Sequence, residues 1–271
     1  MSRFYVRAVI ACFALAPFVA GLSPAPAQDR RQNEPGQFDF YLLTLSWSPS
    51  FCDASAERGA QNNQNGDARG DQATSNAAPS NQGATAEKTS DQSPRRNSRR
   101  NANIQCGDRP YSFVVHGLWP QYEKGWPEDC SIGKRPRVPT SVIDEMRDIM
   151  PSKGLVIHEY RTHGTCSGLD PVQYFGVARE LYERVKVPES LAASGTRQSL
   201  SADQIESAFA DANPWLKSDM MSVSCRGENL LDVRICFGRD LFPRACGANE
   251  EEARLCRSSK IAVPPATPAR P

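Results

Sequence analysis

The sequence predicts a single α+β domain, with a central, mainly antiparallel sheet packed with several helices and stapled by disulfides. One observation is that short apolar, aromatic and β-branched stretches stand among helix-patterned segments without the regular strand-helix alternation of a parallel sheet. The other is an even set of eight cysteines after residue 27, in a chain that opens with an export signal.

The signal is read from Met1, Ser2, Arg3 and Phe4, an apolar run from Val9 to Val19, and a small-residue site ending at Ala27. That order is the one a secretory signal needs. Residues 1–27 are therefore expected to be removed, leaving a secreted or periplasmic protein of residues 28–271. No later segment offers the roughly 20 apolar residues of a membrane helix, so no membrane association is expected.

An oxidising compartment favours disulfides over free thiols. Cys52, Cys106, Cys130, Cys166, Cys225, Cys236, Cys246 and Cys256 lack the close Cys-x-x-Cys spacing of a zinc site. They are expected to pair as structural bridges, and their number alone leaves the connectivity open.

In chain order, "FDFYLLTLSW", "YSFVVH" and "LLDVRICF" read as strands. "TSVIDEMRDIM" spaces Val142, Met146 and Ile149 helically behind a Thr140 or Ser141 cap. "DPVQYFGVARELYERV" opens with Asp170 as cap and Pro171 at the first helical position. "SADQIESAFADAN" offers Ser201 and Gln204 as a capping box.

Residues 53–105 are rich in Ala, Asn, Gln, Ser and Gly, and almost empty of large apolar side chains. Such a stretch cannot bury enough surface to offset the entropy of ordering, so a disordered insertion is expected there. Arg95, Arg96, Arg99 and Arg100 near its end read as a solvated charge run, and a flexible tail is expected from about 262. What remains, roughly 190 residues, suits one domain.

A net charge of +1 gives no strong global field. Composition thus neither favours nor excludes an anionic partner, and the motifs must decide.

The chain has three histidines, two of them in "HEYRTHGTC". Zinc-protease signatures place two histidines four apart so that both face one ion. His158 and His163 are five apart, about 140° around an ideal helix, which argues against that metal site. His116 ends the apolar strand "SFVV", and Gly117 and Pro120 after it imply a turn at the strand end. Histidines brought together from separate segments beside a carboxylate suit general acid/base catalysis near neutral pH. No serine or cysteine nucleophile accompanies them. The pattern fits a substrate that carries its own nucleophile, as the 2′-hydroxyl of RNA does.

"FVVHGLWPQ" and "HEYRTHGTCSG" resemble the two active-site segments of the ribonuclease T2 family. The early "LTLSWSPSFC", the order of the segments and the flanking cysteines agree, and the resemblance runs from about Phe38 to Lys260 apart from the insertion. It implies a monomeric endoribonuclease without cofactor or metal. Such an enzyme cleaves single-stranded RNA through a 2′,3′-cyclic phosphate toward a 3′-phosphate.

The resemblance makes His163 the base and His116 the acid, places His158 at the phosphate and Glu159 with it in the transition state. It puts Trp119 and Gln121 at a base site, and Tyr160, where the family commonly has Trp, with them among the substrate-binding residues. It also implies the bridges Cys52 to Cys106, Cys130 to Cys166, and Cys225 to Cys256 with Cys236 to Cys246 nested inside. Trp47, within an apolar strand, reads as packing.

Two departures stand out. Thr162 occupies a position where the family commonly has Lys, removing a cation that could neutralise the phosphorane. Arg161 beside it is the nearest substitute, although adjacent helical positions face different ways. An amide at Gln121, where some relatives carry a carboxylate, both donates and accepts, so weak base preference is expected. The alternative reading is an RNA-binding protein of the same fold with weakened catalysis.

Overall fold

The computed structural model describes residues 33–58, 104–107, 109, 111–133 and 136–266. The expected signal segment and most of the expected insertion lie outside the described residues.

β1 (Phe40–Trp47) lies between β2 (Phe113–Gln121) and β5 (Asn229–Gly238), and β4 (Met221–Arg226) pairs with the far side of β5, all antiparallel. β3 (Gln198–Leu200) and β6 (Ile261–Val263) form a short antiparallel pair that joins β5 through one parallel contact. The flanked position of β1 explains its nearly continuous burial. Six consecutive residues of "FYLLTL" are buried, where a one-sided strand would alternate.

α1 (48–58) follows β1 directly. α2 (Thr140–Glu145) and α3 (Lys153–Thr162) precede α4 (Pro171–Arg184), and α5 (Ala202–Ala212) follows β3. The caps read from the sequence are present: Ser201 and Gln204 form the expected capping box, and the expected cap Asp170 proves to be one as well, accepting from the backbone of Gln173, whose side chain returns the bond. The large core lies between one face of the sheet and α2 to α5, and holds Leu43, Leu45 and Trp47 with Val156, Leu181 and Phe209. Trp47 is packing as expected, with its indole N–H satisfied by the Pro264 carbonyl at 3.1 Å.

Several boundaries differ from the sequence reading. Residues 53–58, assigned to the disordered insertion, continue α1 from the ordered end of β1. The tail expected to loosen near 262 is held through that point, because Ile261 and Val263 are buried in β6. α2 stops at Glu145 without a side-chain cap from Thr140 or Ser141. Beyond it the chain bends so that the Ile149 carbonyl accepts from the Val115 N–H at 2.8 Å, covering part of the open edge of β2.

The expected turn after His116 is absent, since β2 runs on to Gln121. Pro120 is tolerated there because β2 is an edge strand of the described sheet and need not donate on both sides. The irregularity takes another form. Thr44 pairs with Gly117 and Leu45 with Val115, so His116 is an extra residue without a partner on β1. A bulge of this kind re-aims a side chain, here the imidazole.

Four disulfides join Cys52 to Cys106, Cys130 to Cys166, Cys225 to Cys256 and Cys236 to Cys246, the pairs implied by the family resemblance. Each such link typically contributes about 2–4 kcal/mol.

Candidate active site

The second face of the sheet changes character along β1. At one end Phe40 and Leu42 pack with Cys236, Trp119 and Cys246 in a small apolar cluster. Two and four residues on, Thr44 and Ser46 take the same face by strand alternation. Ser46 stands opposite Asp232 of β5, Thr44 opposite Arg234, and Asp232 opposite Ser224 of β4. The bulged His116 sits over this polar end.

α3 supplies the other wall. Ser152 caps it by accepting from the Leu155 N–H at 3.2 Å. Its far end is closed by the loop after the first motif, where the Asp129 N–H donates to the Thr162 carbonyl at 2.7 Å and Cys130 is bonded to Cys166. Glu159 projects toward β2 and is buried, with 1% of its surface exposed. A Cβ on Gly117 would collide with the Glu159 carboxylate and the Trp119 indole nitrogen, so the absence of a side chain lets the acid approach the strand.

The three aromatic rings cluster tightly. Trp119 lies edge-on to His116 with centroids 5.3 Å apart, and 5.2 Å from His163 on another side. Its indole N–H donates to Glu159 Oε2 at 2.8 Å, while Glu159 Oε1 lies 3.7 Å from His116 Nε2. The Arg234 guanidinium stands 5.4 Å from the Trp119 ring centre. Over a third of the His116 side chain, 36%, stays open to solvent.

The environment treats the two histidines in opposite ways. Burial pulls the His116 imidazole down, but hydrogen bonding with Asp232 and the charges of Glu159 and Asp232 outweigh it and hold the pKa above its ordinary value. Burial pushes His163 down to about 4, helped by the charges of His158 and His116. Nδ1 of His163 is buried without a hydrogen-bond partner among the described residues, so nothing there supports a second ring proton. Burial raises the Glu159 carboxyl, against the pull of His116, the Trp119 hydrogen bond and His158. The two imidazoles beside Trp119 are thus shifted in opposite directions, His116 toward holding a proton and His163 toward staying neutral, as an acid and a base require.

The other expected residues divide. His158 is exposed on α3 and shares an open cleft with Ile132, Arg161 and Thr162, about 670 Å³ in volume. The Arg161 Nε is turned to the Pro136 carbonyl at 3.3 Å. Tyr160 does not face a substrate. It is 3% exposed, donates to the Leu169 carbonyl at 2.9 Å and packs against Tyr174 and Phe175. Its place three residues before the helix C-cap makes it a brace between α3 and α4.

Gln121 is likewise buried, donating to the Pro120 carbonyl at 3.1 Å and accepting from Asn249 at 3.4 Å. It is therefore not free to read a base. Ser46, Asp232 and Arg234 were not singled out by the sequence. Their only signal was polar residues breaking the apolar strands "LLTLSW" and "LLDVRICF".

A model of the ribonuclease T2 family matches residues 38–246. The chain belongs to the ribonuclease T2 family. Among curated T2 relatives, a ribonuclease of Aeromonas hydrophila is 30% identical over 163 residues, covering 60% of this chain and 54% of its own. Ribonuclease I of Escherichia coli is 25% identical over 286 residues, covering 92% of each chain. The matched part of this chain spans little more than half the length of the Aeromonas relative and of a probable ribonuclease of Haemophilus influenzae. The α+β fold of this T2 chain is similar to that of an RNase-related protein from Calystegia sepium, with a TM-score of 0.53 and 19% identity over 84% of this chain and 97% of that one. A self-incompatibility RNase of Nicotiana alata gives 0.52 and 17% over 84% and 99%.

Proposed function

We propose that this protein is an exported, monomeric endoribonuclease that cleaves single-stranded RNA with low base preference, using acid/base transesterification without a metal or other cofactor. The observation that carries the reading is the packing of His116 and His163 against the same Trp119 ring, in environments that shift their pKa values in opposite directions.

His163, neutral, takes the proton of the 2′-hydroxyl. The 2′-oxygen attacks phosphorus, the bond from phosphorus to the 5′-oxygen breaks, and His116 gives its Nε2 proton to that leaving oxygen. The pair is then in the opposite protonation state. Neutral His116 draws a proton from water, the hydroxide opens the 2′,3′-cyclic phosphate, and His163 returns a proton to the 2′-oxygen, leaving a 3′-phosphate. Each histidine typically contributes about 10²–10⁴-fold.

Glu159 acts through the donors it orders, holding Trp119 and favouring the protonated form of His116. The resemblance assigns His158 to the phosphate, and its exposure in the cleft beside Thr162 leaves it accessible for that role. The burial of Gln121 supports low base preference, because base contact then falls to half-buried Trp119, and aromatic contact tolerates any base. Four disulfides among the described residues support an oxidising compartment.

The test is incubation of the disulfide-bonded protein with single-stranded RNA in excess EDTA, followed by analysis of the new ends. The expected result is 2′,3′-cyclic phosphate that matures to 3′-phosphate. RNA that is bound and left intact would favour the reading as a binding protein, for which Thr162 is the specific observation. Cleavage only after zinc is restored would make the enzyme metal-dependent.

A further inference from the structure

We propose that Asp232, acting through the Ser46 hydroxyl, is the positioning residue of His116, fixing one proton on Nδ1 and leaving Nε2 to serve the leaving group. This rests on the reading of His116 as the acid.

The Asp232 side chain is 3% exposed and lies on the face of His116 remote from Glu159. Its Oδ1 accepts from Ser46 and its Oδ2 from Ser224 at 3.1 Å, with Arg234 Nη2 at 3.7 Å. Both serines are direct cross-strand partners of Asp232, so three strands hold the carboxylate rather than a mobile loop. Burial pushes the Asp232 carboxyl up, but His116, Ser46 and Arg234 overcome it and keep it ionised.

The direction of the chain of bonds follows from counting protons. A serine hydroxyl has one, and that of Ser46 is directed to Asp232. The Ser46 oxygen, 3.1 Å from His116 Nδ1, can then only accept, so Nδ1 must carry a hydrogen. Asp232 Oδ1 also lies 3.7 Å from Nδ1, close enough for its charge to favour the imidazolium. Nε2 is left toward Glu159, the side shared with Trp119 and α3.

The charged and titratable groups acting on His116 are thus Asp232 and Arg234 from β5, Glu159 from α3 and His163 at its C-cap, with His158 acting on Glu159 and His163. Among them Asp232 alone reaches Nδ1.

Asp232→Asn can present an N–H to Ser46, turning the hydroxyl proton toward Nδ1 and favouring the wrong tautomer. Two measurements on the full disulfide-bonded protein test the proposal. Nitrogen-15 NMR of the histidines reads the tautomer whether or not RNA is cleaved. Neutral His116 should carry its hydrogen on Nδ1, shift toward Nε2 in Asp232→Asn, and keep the Nδ1 form in Ser46→Thr but lose its preference in Ser46→Ala.

Kinetics read the consequence. Asp232→Asn and Ser46→Ala should move the alkaline limb of kcat/KM to lower pH and reduce RNA turnover by on the order of 10²-fold, with Ser46→Thr restoring both. A structural role alone would change stability and leave tautomer and pH limb in place, and that result would overturn the proposal. A wild-type protein that shows the tautomer and does not cleave RNA would refute the ribonuclease reading and the catalytic consequence while retaining the geometry.

Discussion

The Trp119 indole N–H donates to the buried Glu159 carboxylate at 2.8 Å, tying edge strand β2 to helix α3 across the backbone of Gly117. This bond fixes the spacing of His116 and His163, because each ring packs against Trp119. Trp119→Phe should leave a buried carboxylate without its donor, which typically costs about 1–3 kcal/mol. Activity should fall by about tenfold or more, as read in kcat/KM and in a urea melt. Gly117→Ala should do comparable damage by driving Glu159 and Trp119 apart, and unchanged kinetics in both variants would remove this bond from the account.

The pH profile follows from the two imidazoles. On the proposed assignment, activity needs His163 neutral and His116 protonated. It should therefore rise with pH through the His163 titration near 4 and fall again above 6.5, where His116 loses its proton. Burial raises the Glu159 carboxyl as well, so its ionisation is coupled to that of the neighbouring imidazoles. Measured kcat/KM against pH should be a bell with an acidic to neutral plateau. A profile that keeps rising beyond pH 9 would contradict the assignment.

Thr162 lines the same cleft as exposed His158. Thr162→Lys would add a cation at the position where the family commonly carries one, and kcat should rise, by up to about 10²-fold if the charge meets the phosphorane. Substitution of Arg161 should matter less, since its Nε is committed to the Pro136 carbonyl. The comparison is made by single-turnover cleavage of a short oligoribonucleotide.

Tyr160 and Gln121 should prove structural. Tyr160→Phe loses the bond to the Leu169 carbonyl and should cost about 1 kcal/mol of stability with no change in KM for RNA. Gln121→Ala should leave the order of base preference unchanged in a cleavage map of a mixed-sequence RNA. A new preference would show that the amide meets bases after all.

These cases mark what could be read from the chain. Local elements were legible: "FDFYLLTLSW", "LLDVRICF", the Asp170 cap and the Ser201 capping box announce themselves through local pattern. The histidines were legible because three in 271 residues, placed in two motif segments, are conspicuous. Ser46 and Asp232 were not, because a polar residue in an apolar strand ordinarily marks a solvent face, and only the pairing of β1 with β5 sets them behind His116.

The bulge at His116 was hidden for a related reason. Gly117 and Pro120 are turn residues by composition, and their other use, in an edge strand crossed closely by Glu159, depends on contacts distant in sequence. That Tyr160 and Gln121 are buried was also hidden, because motif position does not reveal burial.

The central claim is the division of labour between His163 as base and His116 as acid. Its most direct test uses two substrates in EDTA, an RNA dinucleotide and a nucleoside 3′-(4-nitrophenyl phosphate), whose leaving group departs without a proton. His116→Ala should lose RNA cleavage by about 10²–10⁴-fold and retain much of its rate on the nitrophenyl ester, whereas His163→Ala should lose both. Equal losses on the two substrates in His116→Ala, or rescue of His163→Ala in its place, would contradict the account.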